Sequence, residues 1–254
     1  MSKHKFSIVL ALCFLVLLFV IRADWGWYIL LFLGFIGITS WGSFDIRLNY
    51  FLKAYSNNPN ENDKRIALTF DDGPHEMTDK VLDLLLQYNA KGTFFCIGTQ
   101  IEKHPDILQR IVSEGHTVGN HTYSHSKSFG FFSTNEVEQE ITQTNTLLEN
   151  KIQKKSLLFR PPFGVTNPNV AKAIAKTGHS VIGWNIRSLD TVIEDESQIL
   201  ERIKKRIQSG GIILLHDTSL KTVNVLEQLL LFLQSENYQM ITVDELLNIS
   251  AYEN

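Results

Sequence analysis

Two apolar runs open the chain. Phe6 to Ile21 follows Lys3 and Lys5, and 25–39 follows the polar break Arg22-Ala23-Asp24. Each falls a little short of the ~20 residues that span a bilayer as a helix. Trp25, Trp27, Tyr28 and Trp41 flank them as interfacial aromatic anchors do. The pattern predicts a membrane anchor over 1–44, built from one or two transmembrane helices. From 53 to 64 the chain turns polar and Asn-rich around Pro59, which predicts a juxtamembrane linker over 45–63 and a folded domain over 64–250. Within that domain short apolar runs alternate with amphipathic stretches. Strands are expected over 65–70, 92–97, 116–120, 156–160, 179–184, 211–216 and 238–242. Helices are expected over 78–89, 105–114, 135–150, 168–177, 197–208 and 221–235, with a short one from Asp244.

Regular β-α alternation argues for an α/β fold with a parallel sheet and outer helices, and about seven repeats favour a closed barrel over an open sheet. The 254 residues, 44 % apolar with a net charge of −3, suit one folded domain plus an anchor. They show no basic stripe of the kind that binds nucleic acid. Cys13 lies in the first apolar run and Cys96 in a buried-looking strand, so no disulfide framework is indicated. Nothing in the sequence sets the oligomeric state.

Ionisable residues collect where the strands end. Asp71-Asp72-Gly73-Pro74 follows the first strand, and His121-Thr-Tyr-Ser-His125 follows the third. Arg160-Pro161-Pro162-Phe163 follows the fourth, Asp190 lies beyond the fifth, and His216-Asp217 ends the sixth. Active sites of parallel α/β proteins form at the C-terminal ends of the strands. Two carboxylates with two imidazoles can hold a divalent cation through three ligands and leave one carboxylate free as a base. Taken singly, each cluster has a plainer reading. Asp-Asp-Gly-Pro is turn chemistry, a pair of His four apart can be a helix surface, and Asp217 can cap the helix near Ser219. His116 is expected to pack or hydrogen-bond locally, and His4, His75, His104 and His179 have no evident partner.

In this order the clusters resemble the polysaccharide deacetylase family, the NodB-homology domain of carbohydrate esterase family 4, from about Lys64 to about Leu247. The resemblance implies a distorted, NodB-like (β/α) barrel and a metal-dependent hydrolase. The expected substrate is an acetylated glycan containing N-acetylglucosamine, such as peptidoglycan. It implies Asp71 as base, Asp72, His121 and His125 as metal ligands, and Arg160 as the residue holding the base. Phe163 would offer a backbone N–H to the oxyanion, and Leu214 would line the acetyl pocket. His216 would be the acid, oriented by Asp190. The cofactor would be one divalent ion, zinc before cobalt, nickel or manganese. Where the family commonly shows Asp-x-x-Asp-Trp, this chain has Arg187-Ser-Leu-Asp190-Thr191, so the catalytic set is complete while the pocket wall differs. The alternatives are an O-acetyl esterase or an inactive glycan-binding membrane protein.

The localisation expected is a cell membrane. If both apolar runs cross as a hairpin, the lysine-bearing tail and the domain share one side, cytoplasmic by the positive-inside rule. If one continuous segment crosses, the domain faces outward.

Overall fold

The computed structural model describes residues 2–253. Two helices, α1 (Lys3–Val20) and α2 (Trp25–Phe44), fold back on one another across 21–24. Both are long and apolar enough to cross a membrane, and of their side chains only the Gly42 position is buried.

The domain then follows as β1 (Ala54–Tyr55), β2 (Arg65–Asp71), α3 (Glu76–Gln87), β3 (Gly92–Cys96), α4 (Gly98–Lys103), α5 (Pro105–Ser113), β4 (Thr117–Asn120) and α6 (Thr134–Ile152). After these come β5 (Leu158–Phe159), α7 (Pro168–Thr177), β6 (Ser180–Ile182), β7 (Ile186–Arg187) and α8 (Glu196–Lys204). The chain closes with β8 (Ile212–His216), α9 (Leu220–Ser235), β9 (Gln239–Ile241) and α10 (Val243–Leu247). Two helix starts are capped by side chains in familiar ways: Ser133 and Glu136 form a capping box on α6, and Asn167 caps α7 ahead of Pro168.

The sheet is parallel in the order β1-β6-β5-β4-β3-β2-β8-β7, with β9 on the first half of β2. Alternation along each strand divides it into two faces. Ile66, Leu68 and Phe70 of β2, with Phe94, Ile213 and Leu215, pack outward against helices. Ala67, Phe95, Leu158, Ile182, Ile212 and Ile241 fill the interior, which Val243 and Leu246 join.

The distorted parallel barrel that the resemblance implies is present, with β1, β7 and α4 added to the expected elements, and the sequence reading is corrected on closure and on the linker. The sheet is a curled, incomplete barrel rather than a closed one, because β1 and β7 stand at opposite ends of the strand order. The chain runs from β6 to β7 through Gly183–Asn185, far too short for a crossover helix. At that gap the carbonyls of Ile182 and Gly183 accept from the Arg160 guanidinium at 3.1 and 3.0 Å.

The expected linker is also largely folded. Ile46, Tyr50, Phe51 and Ala54 are buried, and Ala54 and Tyr55 pair with Val181 and Ile182. Asn58 then donates from its backbone to Gly210 and from its side chain to Leu246. The polar composition of 53–64 concealed the apolar residues just before it. A chain starting at Lys64 uncovers the edge of β6 and should melt several degrees below one starting at Asp45, since each buried apolar side chain is worth about 1.5–3 kcal/mol. Thermal melts of the two truncations check this.

Candidate active site

In a regular strand consecutive side chains point to opposite faces. Asp71 continues the inward set Ala67-Thr69 and reaches the barrel mouth nearly buried, in register with His216 of β8. Asp72 adopts φ 77°, leaves the ladder, and so brings a second carboxylate into the same pocket. His121 Nε2 lies 3.7 Å from Asp71 Oδ2 and 3.5 Å from Asp72 Oδ1.

The two histidines lie on a loop, not a helix. Thr122 and His125 have φ 67° and 47°, and α6 holds the turn through Glu140. That carboxylate accepts from the backbone N–H of Tyr123 and Ser124 at 2.9 and 2.7 Å and from the Ser124 hydroxyl at 2.8 Å. Asn120 accepts from Thr122 N–H and donates to Asn145. Positive φ in residues other than glycine and asparagine is uncommon and strained. Asp72, Thr122, His125, Phe163 and Leu189 all show it within the segments that form this site.

His121 Nδ1 lies 2.7 Å from the Arg160 carbonyl, so Nδ1 carries the hydrogen and the Nε2 lone pair faces Asp72. His125 Nε2 is 3.4 Å from the same Asp72 oxygen. That oxygen is buried with no hydrogen-bond partner. Donor atoms bound at ~2.1 Å around a tetrahedral ion lie about 3.4 Å apart, so Asp72, His121 and His125 fit a divalent cation, with the orphaned Asp72 oxygen as one of its three donors. Burial would push the Asp72 carboxyl up, but the His121 and His125 imidazoles bring it down to about 2. That carboxylate therefore stays ionised at neutral pH.

Asp71 is fixed from the opposite side. Arg160 Nη1 donates to Asp71 Oδ1 at 2.7 Å and to Thr69 Oγ1 at 2.9 Å. The guanidinium lies fully buried, 4.1 Å over the Phe95 ring. Asp71 Oδ2 is left turned toward the histidines.

Asp190 builds the other half. It accepts from Ser188 Oγ at 2.8 Å, from Thr222 Oγ1 at 3.0 Å and from the His216 N–H at 2.8 Å. Its Oδ1 lies 2.8 Å from His216 Nδ1, which turns Nε2 to the pocket. Burial would lower the His216 pKa, but the Asp190 hydrogen bond and charge overcome it and raise it to about 9.

Phe163 has φ 59° and sets its ring edge-on to His125 at 4.9 Å. Leu214 faces inward between Ile212 and His216, next to Thr69 in register. Arg187 is exposed at the end of β7.

Asp217 does not cap α9; Ser219 does, accepting from Thr222 N–H. The Asp217 carboxyl is buried, takes the Thr78 hydroxyl, and leaves Oδ1 without a partner. Burial drives its pKa up from 3.8 to about 7. A carboxyl raised on folding favours the folded state below its unfolded pKa, and that contribution is lost as pH rises through the folded value. Asp217→Asn should therefore raise the melting temperature at pH 8 more than at pH 5, as paired calorimetric scans would show.

Three histidines away from the pocket hold local structure. His116 Nδ1 accepts from Gly92 N–H, His179 meets Asn145, and His75 caps α3. Glu140, Ser188 and Thr222 went unnoticed in the sequence. Only Ser188, two residues before Asp190, lay close enough to be suspected.

The sheet is a curled parallel barrel with ionisable residues at its strand ends, and 58–182 match the family described as Polysaccharide deacetylase. The chain belongs to that family. It is 37 % identical over 192 residues to a Bacillus cereus peptidoglycan-N-acetylglucosamine deacetylase, covering 73 % of this chain and 89 % of that protein. It is also 31 % identical over 186 residues to the Bacillus subtilis peptidoglycan-N-acetylmuramic acid deacetylase PdaC, covering 73 % of this chain but 39 % of that longer protein.

Among solved structures, the Bc1960 peptidoglycan N-acetylglucosamine deacetylase superposes with a TM-score of 0.74 at 30 % identity, covering 79 % of this chain and 94 % of that one. BA3943 of Bacillus anthracis, a pseudoenzyme of the same family, superposes with a TM-score of 0.71 at 26 % identity, covering 77 % and 69 %.

Proposed function

We propose that this chain is a membrane-anchored, metal-dependent hydrolase that removes N-acetyl groups from an N-acetylglucosamine-containing glycan. One observation carries the reading: a carboxylate held by a buried arginine and an imidazole held by a buried carboxylate end adjacent strands, beside an Asp-His-His triad. Asp72, His121 and His125 would hold the cation, which when bound polarises a carbonyl and acidifies water.

Asp71 Oδ2 takes a proton from water as its oxygen bonds to the acetyl carbon. Arg160, occupying Oδ1, keeps that carboxylate oriented and ionised. The Phe163 N–H stabilises the oxyanion, and Leu214 receives the methyl group. His216 Nε2–H then protonates the nitrogen as the C–N bond breaks, releasing acetate and a free amine, while Asp190 stabilises the imidazolium. Completeness of this set argues against the inactive, binding-only alternative.

Outward apolar surface on α1 and α2 supports anchoring. At 1.5 Å per residue the 18 and 20 residues reach about 27–30 Å, close to a hydrocarbon core of ~30 Å. His4 N–H donates to Tyr50 and Lys3 Nζ to Leu48, contacts that support a hairpin with the N-terminus and the domain on one side.

Removing the metal tests the reading. Dialysis of the full chain in nanodiscs against a chelator should abolish acetate release from N-acetylglucosamine oligomers, and zinc should restore it. Undiminished release after chelation to a metal-free protein would refute metal dependence.

A further inference from the structure

Where α2 ends against the domain, a cleft of about 430 Å³ opens between Phe44, Arg47, Trp184, Arg187, Arg202 and Arg206. Its acid, Asp45, is already taken by Arg47 in a two-point pair at 2.7 Å. The other three guanidiniums have no such partner. Arg202 Nε donates to the Arg187 carbonyl at 2.9 Å and Arg206 Nη1 to the Arg202 carbonyl at 3.0 Å, so backbone oxygens pin the Arg202 and Arg206 side chains, while the Arg187 guanidinium lies 5.9 Å from the Trp184 ring. Burial and the charges of Arg206 and Arg187 make the Arg202 guanidinium less basic. Three neighbouring guanidiniums, two exposed and one half-buried, repel one another only weakly through water, but together they offer forked donors of the kind that suit phosphate oxygens.

The cleft adjoins the catalytic end. Trp184 stands 5.5 Å from the Arg160 guanidinium and 5.9 Å from that of Arg187. Arg187 pairs in register with Leu214, and Leu189 lines the cleft beside Asp190. The same face begins at Phe44, the exposed last residue of α2, and so lies at the membrane surface if the helices span. A neutral polymer offers such a cleft nothing, whereas a phosphorylated lipid carrying a sugar meets both the arginines and the bilayer.

We propose that this cleft binds the carrier phosphate of a lipid-linked acetamido sugar, presenting its N-acetyl group to Asp71 and His216 at the membrane surface. The inference rests on the deacetylase reading and the membrane anchor, and it names the substrate class. It gives the charge reversal at Arg187 a role, since an anion at the pocket wall requires a cation there.

The test is binding to the full chain in phosphatidylcholine nanodiscs, with polyprenyl-diphosphate-linked N-acetylglucosamine as probe. Arg187→Gln combined with Arg206→Gln should weaken binding tenfold or more, equivalent to about 1.4 kcal/mol, and Arg187→Glu should weaken it further. Melting curves would show that these exposed substitutions leave the protein folded. Excess phosphatidylglycerol should fail to compete. Unchanged affinity in both variants would overturn the proposal. Equal competition by phosphatidylglycerol would also overturn it, making the cleft a site for bilayer headgroups. Arginine-dependent binding without acetate release would uphold the cleft while refuting the deacetylase reading.

Discussion

Asp71→Asn is expected to lower kcat for acetate release by about 10³-fold, within the range that a positioned general base supplies. The amide can still accept from Arg160, but it cannot take a proton from water. Asp72, His121 and His125 are untouched, so zinc binding should persist. The buried Arg160 loses its counter-charge, and breaking such a pair costs about 3–5 kcal/mol, so the variant should also melt earlier. Contacts from Arg160 to Thr69, Ile182 and Gly183 remain and should keep it folded at assay temperature. Steady-state kinetics, zinc content and a melting curve on one preparation check all three. Wild-type turnover would remove Asp71 from the base position.

Asp190→Asn should move the alkaline limb of the rate profile downward. In the proposed mechanism His216 donates a proton and so works in the protonated form, which its pKa of about 9 keeps dominant through neutral pH. Activity in the wild type should therefore fall as pH rises through about 9. Without the Asp190 charge the imidazole returns toward its ordinary 6.5, and at pH 8 the rate should fall by about tenfold or more. Activity near pH 6 should suffer less.

The stability linkage has the same sign. A histidine raised on folding stabilises fully below its unfolded pKa, and that contribution disappears as pH rises through the folded value. The variant should thus lose the alkaline decline in stability that His216 imposes between these values. An unshifted profile in kcat/KM would show that His216 is not the titrating acid.

Much of the domain was legible because its strands are buried on both faces and read as apolar runs between amphipathic helices. The seven strands and seven helices expected in the domain all form, and their ends differ by only a few residues. The sequence did not reveal β1 or β7, two-residue strands whose pairings with β6 and β8 are long-range choices. Nor did it reveal that the barrel stays open at Gly183–Asn185, since closure depends on chain path rather than composition.

At the site, acids and imidazoles at strand ends could be seen in the chain, but their roles came from resemblance. What decides those roles is three-dimensional. The Nδ1 contact of His121 with the Arg160 carbonyl, the positive φ of Asp72 and the grip of Glu140 on the histidine loop leave no local signature. Asp217 shows the opposite failure, where a plausible cap residue is instead a buried carboxyl against Thr78.

The central claim is that water held by Asp71 attacks the acetyl carbon. Running the reaction of the zinc-loaded full chain in oxygen-18 water, with mass spectrometry of both products, tests it most directly. The account predicts one labelled oxygen in the released acetate and a free, unlabelled amino sugar. Label in the sugar, or a protein with its zinc bound that yields no acetate from either polymeric or lipid-linked N-acetylglucosamine, would contradict it.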